Sequence, residues 1–416
     1  MLVGVDVGGT FTDFVAADAS GIRTYKLASS SAEPGPVVVA GMRALGGTSM
    51  AHGTTVATNA VLEGRGARTA FVTTEGFEDL LAIGRQNRPD LYDFRKTRPE
   101  PIVSRDLRFG IPERVAADGT VVRELTAEAL SELATRIRES GAESVAVCLL
   151  FSFLHPDHER AIRDALPGLP VSISSEVLPE FREVERGSTT VLDAFVKPLA
   201  DRYLRELEQS VAGPFFVMRS SGGVLRSPAV RARPIEMLLS GPAGGIAAAK
   251  VVADLLAARN LVTFDMGGTS ADVSVIADGE PGWTTEAEIG GHPLALPVLD
   301  IASVGAGGGS IAWFDAGHAL RVGPRSAGGE PGPMCYGRGG REFTIADADL
   351  LAGTLPPVLL GGAMRLDRRA AQVGARGLTA TFGTEEAAVL AVQSVVRATM
   401  AASIRLALSK RGLDPR

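Results

Sequence analysis

Apolar and polar positions alternate with a period of two through the first three short runs of the chain. Residues 2–8, 11–17 and 22–27 each read as a strand, with tight turns at Gly8-Gly9 and Ser20-Gly21. The spacing then lengthens to a helical one over 35–45, where Pro34 and Pro36 suit the first turn. A short strand leads into AHGTTVATNAVLEG, which predicts a Thr/Ala-rich helix from near Gly53, and TAFVT at 69–73 is another strand. Between 84 and 115 the periodicity fails, and Pro and Arg throughout predict a long polar excursion outside the core. Helix 126–140 follows, with Thr126 as N-cap and Gly141 just past its end. Strand 144–151, a helix opened by Pro156 and strand 170–174 complete a series that alternates strand and helix, as an α/β layer fold does.

The second part of the chain is helical first. Residues 187–210 form an amphipathic pattern, with a bend expected at Pro198, and FFVM at 215–218 is a strand. SGPAGGIAAAK opens a Gly/Ala-rich helix over 240–258, whose small residues permit close contact with another element, and strand 261–265 follows it. Residues 279–345 are dominated by Gly and Pro but hold Trp313, Cys335 and Tyr336, and are expected to be an ordered insertion near a site. A long terminal helix is predicted over 384–411, with Leu406 and Leu408 partly uncovered.

Over this pattern lies a repeat. Residues 3–13 read VGVDVGGTFTD and residues 262–272 read VTFDMGGTSAD, so that Asp6 matches Asp265, Gly8-Gly9-Thr10 matches Gly267-Gly268-Thr269, and Asp13 matches Asp272. Each phrase is a strand, a glycine turn and a second strand. Two copies imply two similar halves that face each other. An Asp at the end of a strand followed by glycines suits Mg²⁺ and phosphate, because glycine lets the backbone come close and the turn's N–H groups can point at the anion. Two such loops can clamp one polyphosphate from opposite sides. Asp6 and Asp265 are the candidate Mg²⁺ carboxylates, acting through water. Gly8, Gly9, Thr10, Gly267, Gly268, Thr269 and Ser270 are the candidate phosphate contacts, Thr12 a further hydroxyl, and Asp272 a candidate catalytic carboxylate.

Composition narrows the classes. The chain has 416 residues, enough for two or three domains, and 49 Gly with 24 Pro favour a turn-dense α/β chain. A formal net charge of −6 gives no electrostatic footprint for nucleic acid. Cys148 lies in an apolar run and is expected buried and reduced, and no zinc-ligand spacing is present. The chain enters its first strand without a basic leader, and the run VAVCLL is too short to span a bilayer, so a cytoplasmic protein without membrane contact is the expectation.

The ordered set GVDVGGTFTD, HGTTVATNAVLE, GFEDLLAIGRQNRPDLYD, FSFLHPDHE, FREVERGSTTVLDAFVKP, RSSGG, SGPAGG, DMGGTSADVS and VGAGGGSIAW resembles the ATP-dependent hydantoinase A/5-oxoprolinase family, with the related subunits of acetone and acetophenone carboxylases. The doubled DxGGT phrase resembles the phosphate-1 and phosphate-2 loops of the actin-like ATPase superfamily. The resemblance implies a two-lobed actin-like (ribonuclease H-like) α/β fold with duplicated halves. It implies an N-terminal region over 1–185 and a central region over 186–416 that holds the connecting helix 240–258 and the phosphate-2 loop 262–274. It further implies ATP and Mg²⁺ as cofactors, a cyclic amide or ketone as substrate, a hydantoinase B-type partner subunit, an oligomeric assembly, and an adenosine-binding turn beyond Arg416. The expected reaction is ATP-dependent opening of a cyclic amide of the 5-oxoproline or hydantoin class. A ketone carboxylase subunit, a small-molecule kinase using Asp193 or Asp201, and a nucleotide-binding assembly subunit are the alternatives. Candidate substrate contacts are His52, Thr54, Asn59, Arg85 and Arg186, the last beside Ser188 at a helix start. His155 and His158 are expected at the surface, and Gly305–Gly309 as either a flexible turn or a further phosphate cradle.

Overall fold

A computed structural model describes residues 1–30, 33–88 and 90–415. The period-two runs become the strands Leu2–Val7, Phe11–Asp18 and Gly21–Ala28, joined as antiparallel neighbours. Val3, Val5 and Val7 point to one face and are buried, as are Phe14 and Ala16. Ser49–Thr54 runs parallel to Leu2–Val7, and Phe215–Met218 runs parallel to Ser49–Thr54. With Val224–Arg226 at the far edge these make a six-stranded sheet. The helix Pro34–Leu45 places Val38, Met42 and Leu45 on this core and ends at Gly46, whose left-handed conformation (φ 69°) suits glycine.

The long helix Glu183–Ser210 is the common wall of the molecule. It gives Leu192, Val196 and Leu204 to the first core and Val191 and Ala194 to a second one. The helix starts four residues before the expected 187, and the division expected at 185/186 falls in its first turn. A second sheet is all parallel, in the order Val171–Ile173, Ser144–Cys148, Thr69–Thr74, Arg108–Ile111. Its core is Ala70, Val72, Val145 and Val147 against Ile137 and Ile162.

Three expectations need correction here. The polar excursion 84–115 contains a true sheet strand, Arg108–Ile111, and Leu107, Phe109 and Ile111 are buried. The helix expected from Gly53 starts at Val56, because His52, Gly53 and Thr54 still pair with Val5, Asp6 and Val7. The strand expected to reach 151 ends at Cys148. Cys148 is buried and free, as read, and Cys335 is too.

The second half begins with the helix Ser240–Leu255 and the hairpin Leu261–Met266/Ala271–Ala277, on which Ala302–Val304 adds antiparallel. The Gly/Pro-rich region is ordered into short strand pairs, chiefly Ser310–Phe314 with Leu320–Ser326. The terminal helix Glu385–Lys410, capped by Thr384, packs Val389 and Val392 into a core with Phe343, Ala348 and Ala375. Leu406 stays 58% exposed and Leu408 half-buried, as expected. By length and composition alone this helix is apolar enough to cross a membrane, a feature the shorter VAVCLL run does not reveal. Here it is the packed partner of the helix Ile345–Ala352.

Candidate functional site

The two repeated phrases fold into the same object. In each hairpin the two aspartates are direct cross-strand partners, Asp6 with Asp13 and Asp265 with Asp272. Each glycine turn is closed by one backbone bond, Gly8 N–H to Phe11 O at 3.0 Å and Gly267 N–H to Ser270 O at 2.9 Å. Those two N–H groups are therefore spent inside the turn, which corrects the expectation that Gly8 and Gly267 donate to phosphate. The N–H groups of Gly9, Thr10, Gly268 and Thr269 donate to no described residue and are the ones left for an anion.

The loops face each other at contact distance. A Cβ at Gly268 would stand 2.4 Å from Thr10 Oγ1, so this glycine is fixed by the opposite loop rather than by its own turn. Behind the second loop lies Gly305–Gly309. Gly308 N–H donates to Gly267 O at 2.9 Å and Gly309 N–H to Gly268 O at 2.6 Å, while Gly307 N–H goes to Ser310 Oγ. A Cβ at Gly307 would sit 2.5 Å from Thr269 backbone atoms. The N–H groups of Gly308 and Gly309 are thus spent on bracing the loop that faces the cleft rather than left for phosphate. Ser270 lies against the same brace.

The carboxylates of Asp6 and Asp265 accept no hydrogen bond from the described residues. Desolvation, then the neighbouring Asp13 and Asp265 charges, raise Asp6 from 3.8 to about 6, against a smaller opposing effect of Lys26. Lys26 is held by Asp13 at 2.9 Å. Asp272 is also raised, first by burial and then by Asp265, while the hydroxyl of Ser303 donates to it and opposes the rise. Among the described residues no three His, Cys, Asp or Glu side chains converge as a ligand cage. Two carboxylates that no described donor satisfies, beside glycine turns with unspent N–H groups, fit a hydrated Mg²⁺ and the phosphates of a nucleotide. Lys26 and Ser303 escape a sequence reading because they sit on neighbouring strands outside the repeated phrase.

The other candidates separate into those that reach open space and those that do not. Thr12 is buried, its hydroxyl on Ser29 Oγ at 2.9 Å, and does not reach the cleft. His52 is fully buried with Nε2 2.8 Å from Tyr203 Oη, and burial lowers its pKa to about 4, so it is a neutral core histidine. Thr54 is fully buried and its Oγ1 accepts from Val56 N–H at 3.2 Å. Arg186 is fully buried; its guanidinium donates to Glu180 O at 2.7 Å and Leu149 O at 2.6 Å and ties the long helix to the second sheet. Ser188 donates to Pro293 O at 2.7 Å. Asp193 is buried and receives Ser172 Oγ–H at 2.6 Å and Ile235 N–H at 2.9 Å, and Asp201 is held by Arg205 and Arg231, so neither is a free catalytic carboxylate. His158 is buried, not superficial, with Nδ1 2.8 Å from Glu113.

Asn59 and Arg85 do line cavities, but different ones. Arg85 pairs both ways with Glu185, at 2.8 and 2.7 Å, on the wall of a cavity of about 760 Å³ that includes no residue of either glycine turn. Asn59 lies on the wall of a cavity of about 540 Å³ that Gly8 and Gly9 also line.

Comparison with known proteins bears on the same residues. The family model described as Hydantoinase/oxoprolinase matches residues 186–416, and that of the hydantoinase/oxoprolinase N-terminal region matches 2–167. An uncharacterised protein of Methanocaldococcus jannaschii is 36% identical over 100% of this chain and 66% of its own length. The caprolactamase subunit alpha of Pseudomonas jessenii is 35% identical over 100% of this chain and 64% of its own. The nucleotide-free structure of acetone carboxylase, from work on ATP-dependent acetone carboxylation, superposes with a TM-score of 0.85 at 27% identity, over 100% of this chain and 64% of that one. The chain thus spans just under two thirds of the length of these relatives.

Proposed function

Because this chain belongs to the hydantoinase/oxoprolinase family, we propose that it is the ATP-using part of a cyclic-amide hydrolase, with the phosphates held between the Gly8–Thr10 and Gly267–Thr269 turns. The observation that carries the reading is the pair of facing glycine turns, with unspent N–H groups and two carboxylates that lack donors. Bound Mg-ATP would supply a γ-phosphoryl group to the carbonyl oxygen of the amide as the bond to the β,γ-bridging oxygen breaks and ADP leaves, and so would turn a resonance-stabilised amide into an imidate-like phosphate open to water.

The protein's share of such a step is positioning and charge neutralisation. Asp6 and Asp265 would hold the hydrated Mg²⁺, and Gly9, Thr10, Gly268 and Thr269 N–H groups would fix the phosphate oxygens. Asp272, held by Ser303, would orient a water of the metal's shell. Gly305–Gly309 would keep the second turn in place. A division into an N-terminal region to residue 185 and a central region beyond it is part of the proposal, as is a hydantoinase B-type partner that completes hydrolysis. The relative named as a subunit alpha supports a multi-subunit assembly. Two buried free cysteines fit a reducing, cytoplasmic setting.

The test couples two readouts. With its partner present, the enzyme should release inorganic phosphate in step with ring opening when offered a lactam. Accumulation of a stable phosphorylated substrate in place of free phosphate would favour a kinase and end this reading.

A further inference from the structure

Within the Gly/Pro-rich region, the loop 327–332 reaches both glycine turns. It leaves the strand Leu320–Ser326, whose last residue donates its hydroxyl to Gly268 O at 3.4 Å, and Ala327 N–H goes to Gly309 O at 2.8 Å. Two residues on, a Cβ at Gly329 would stand 3.8 Å from Thr10 Cγ2 and 3.9 Å from Gly9 O of the opposite turn. Three loops from separate parts of the chain thus meet around Thr10 and Gly268. The third is firmly backed. Gly332 N–H closes it on Ala327 O at 3.1 Å, and a Cβ at Gly332 would lie 2.9 Å from Tyr336 Cδ2 in the short turn Met334–Tyr336. That turn is held by the buried Asp347, whose carboxylate accepts from Cys335 N–H at 2.7 Å and Thr344 N–H at 2.9 Å. Within the loop, Gly328 N–H is spent on Ser326 Oγ at 3.1 Å. The N–H groups of Gly329 and Glu330 donate to no described residue.

We propose that the loop 327–332 is a third wall of the phosphate clamp, in which the Gly329 and Glu330 N–H groups take phosphate oxygens together with those of Gly9, Thr10, Gly268 and Thr269. The proposal rests on the reading of the two glycine turns as a nucleotide clamp. Consecutive unspent amides after a left-handed residue make a concavity for an anion, and Gly328 (φ 63°) is such a residue. Gly329 lies against the Gly9–Thr10 stretch whose own N–H groups are unspent, so an anion bound there borders this loop as well. Asp347 and Tyr336 fix the loop before a ligand arrives, and preorganised donors cost no rearrangement on binding. The loop touches the phosphate turns, so the group it takes is polyphosphate rather than nucleoside.

The test is hydrogen–deuterium exchange of the wild-type chain, read peptide by peptide, with saturating Mg-ADP and with saturating Mg-pyrophosphate, which carries no nucleoside. Both probes should slow exchange at the Gly329 and Glu330 amides along with the segments 8–11 and 267–270, and Mg²⁺ alone should not. A second arm measures affinity. Side-chain methyls beyond Cβ at 329 would press on Thr10, so Gly329→Val should weaken both probes about tenfold, and Gly329→Ala by less. Three results overturn the proposal: protection of both turns without 327–332, protection of 327–332 by Mg-ADP but not by Mg-pyrophosphate, or protection by Mg²⁺ alone. A Gly329→Val affinity within about twofold of wild type overturns it too. The exchange arm needs no variant to fold. If neither probe protects either turn, the clamp itself has failed first, and the third wall with it.

Discussion

Strand Leu2–Val7 is paired on both edges, by Phe11–Asp18 and by Ser49–Thr54, whereas Leu261–Met266 is paired on one edge only, by Ala271–Ala277, among the described residues. The first strand accordingly buries Val3, Val5 and Val7, while Phe264 and Met266 of the second are each 38% exposed. Yet the turns are alike, with the same closing bond and the same cross-strand aspartates. The short phrase dictates the turn, because glycine and the register decide it locally. The surroundings set the Asp6 carboxyl: desolvation, then the Asp13 and Asp265 charges, raise it to about 6. The strand beside the first hairpin also supplies a counter-charge, Lys26 on Asp13, where the strand beside the second gives only the Ser303 hydroxyl on Asp272.

If both turns serve one nucleotide, loss of either carboxylate should be severe. Asp6→Asn and Asp265→Asn are each expected to lower nucleotide-dependent turnover on the order of 10²-fold or more, as removal of a preorganised charge does. Steady-state phosphate release checks this, with circular dichroism to show that the fold is kept. A turnover loss in only one of them would break the symmetry of the account.

Gly268→Ala and Gly9→Ala separate the turns by contact. The added methyl at Gly268 meets Thr10 Oγ1, whereas at Gly9 nothing lies within 4 Å. Gly268→Ala should weaken Mg-ADP binding about tenfold and Gly9→Ala by much less, since only the first forces the loops apart. Titration calorimetry on both variants gives the comparison.

A smaller effect comes from titration. Asp6 moves from 3.8 to about 6 on folding, so the native chain holds a proton that the unfolded chain has released between those values. Stability therefore rises as pH falls through about 6, and above it the Asp6 charge is a cost. Asp6→Asn should raise the melting temperature of the nucleotide-free chain at pH 7.5 and give no gain near pH 4. Thermal melts across that range check the sign.

The mildest difference is dynamic. Amides of Leu261–Met266 should exchange with deuterium faster than those of Leu2–Val7, because one edge of the strand has no ladder partner among the described residues. Equal protection would remove the contrast between the hairpins.

The repeat, the first three strands and the long helices were legible because each rests on local periodicity and turn chemistry. Arg108–Ile111 was not, since four residues among Arg and Pro look polar until the sheet beside them is known. Sequence proximity to GTT made His52 and Thr54 resemble ligands, but Ser49–Thr54 is an inner strand and buries both. Arg186, read as a substrate contact, and His158, read as a surface residue, share one reason: a polar side chain looks available unless its buried carbonyl or carboxylate partners, Leu149 and Glu113, can be seen.

The central claim is that one hydrated Mg²⁺-nucleotide is held jointly by Asp6 and Asp265. A double-mutant cycle on Mg-ADP affinity, with Asp6→Asn, Asp265→Asn and both together, tests it most directly. The account predicts that each single change weakens binding at least tenfold and that the double variant is little worse than either, because the shared ion is already lost. Losses that multiply in the double variant, or an unchanged affinity in Asp265→Asn, would show that the two turns do not hold a common ligand.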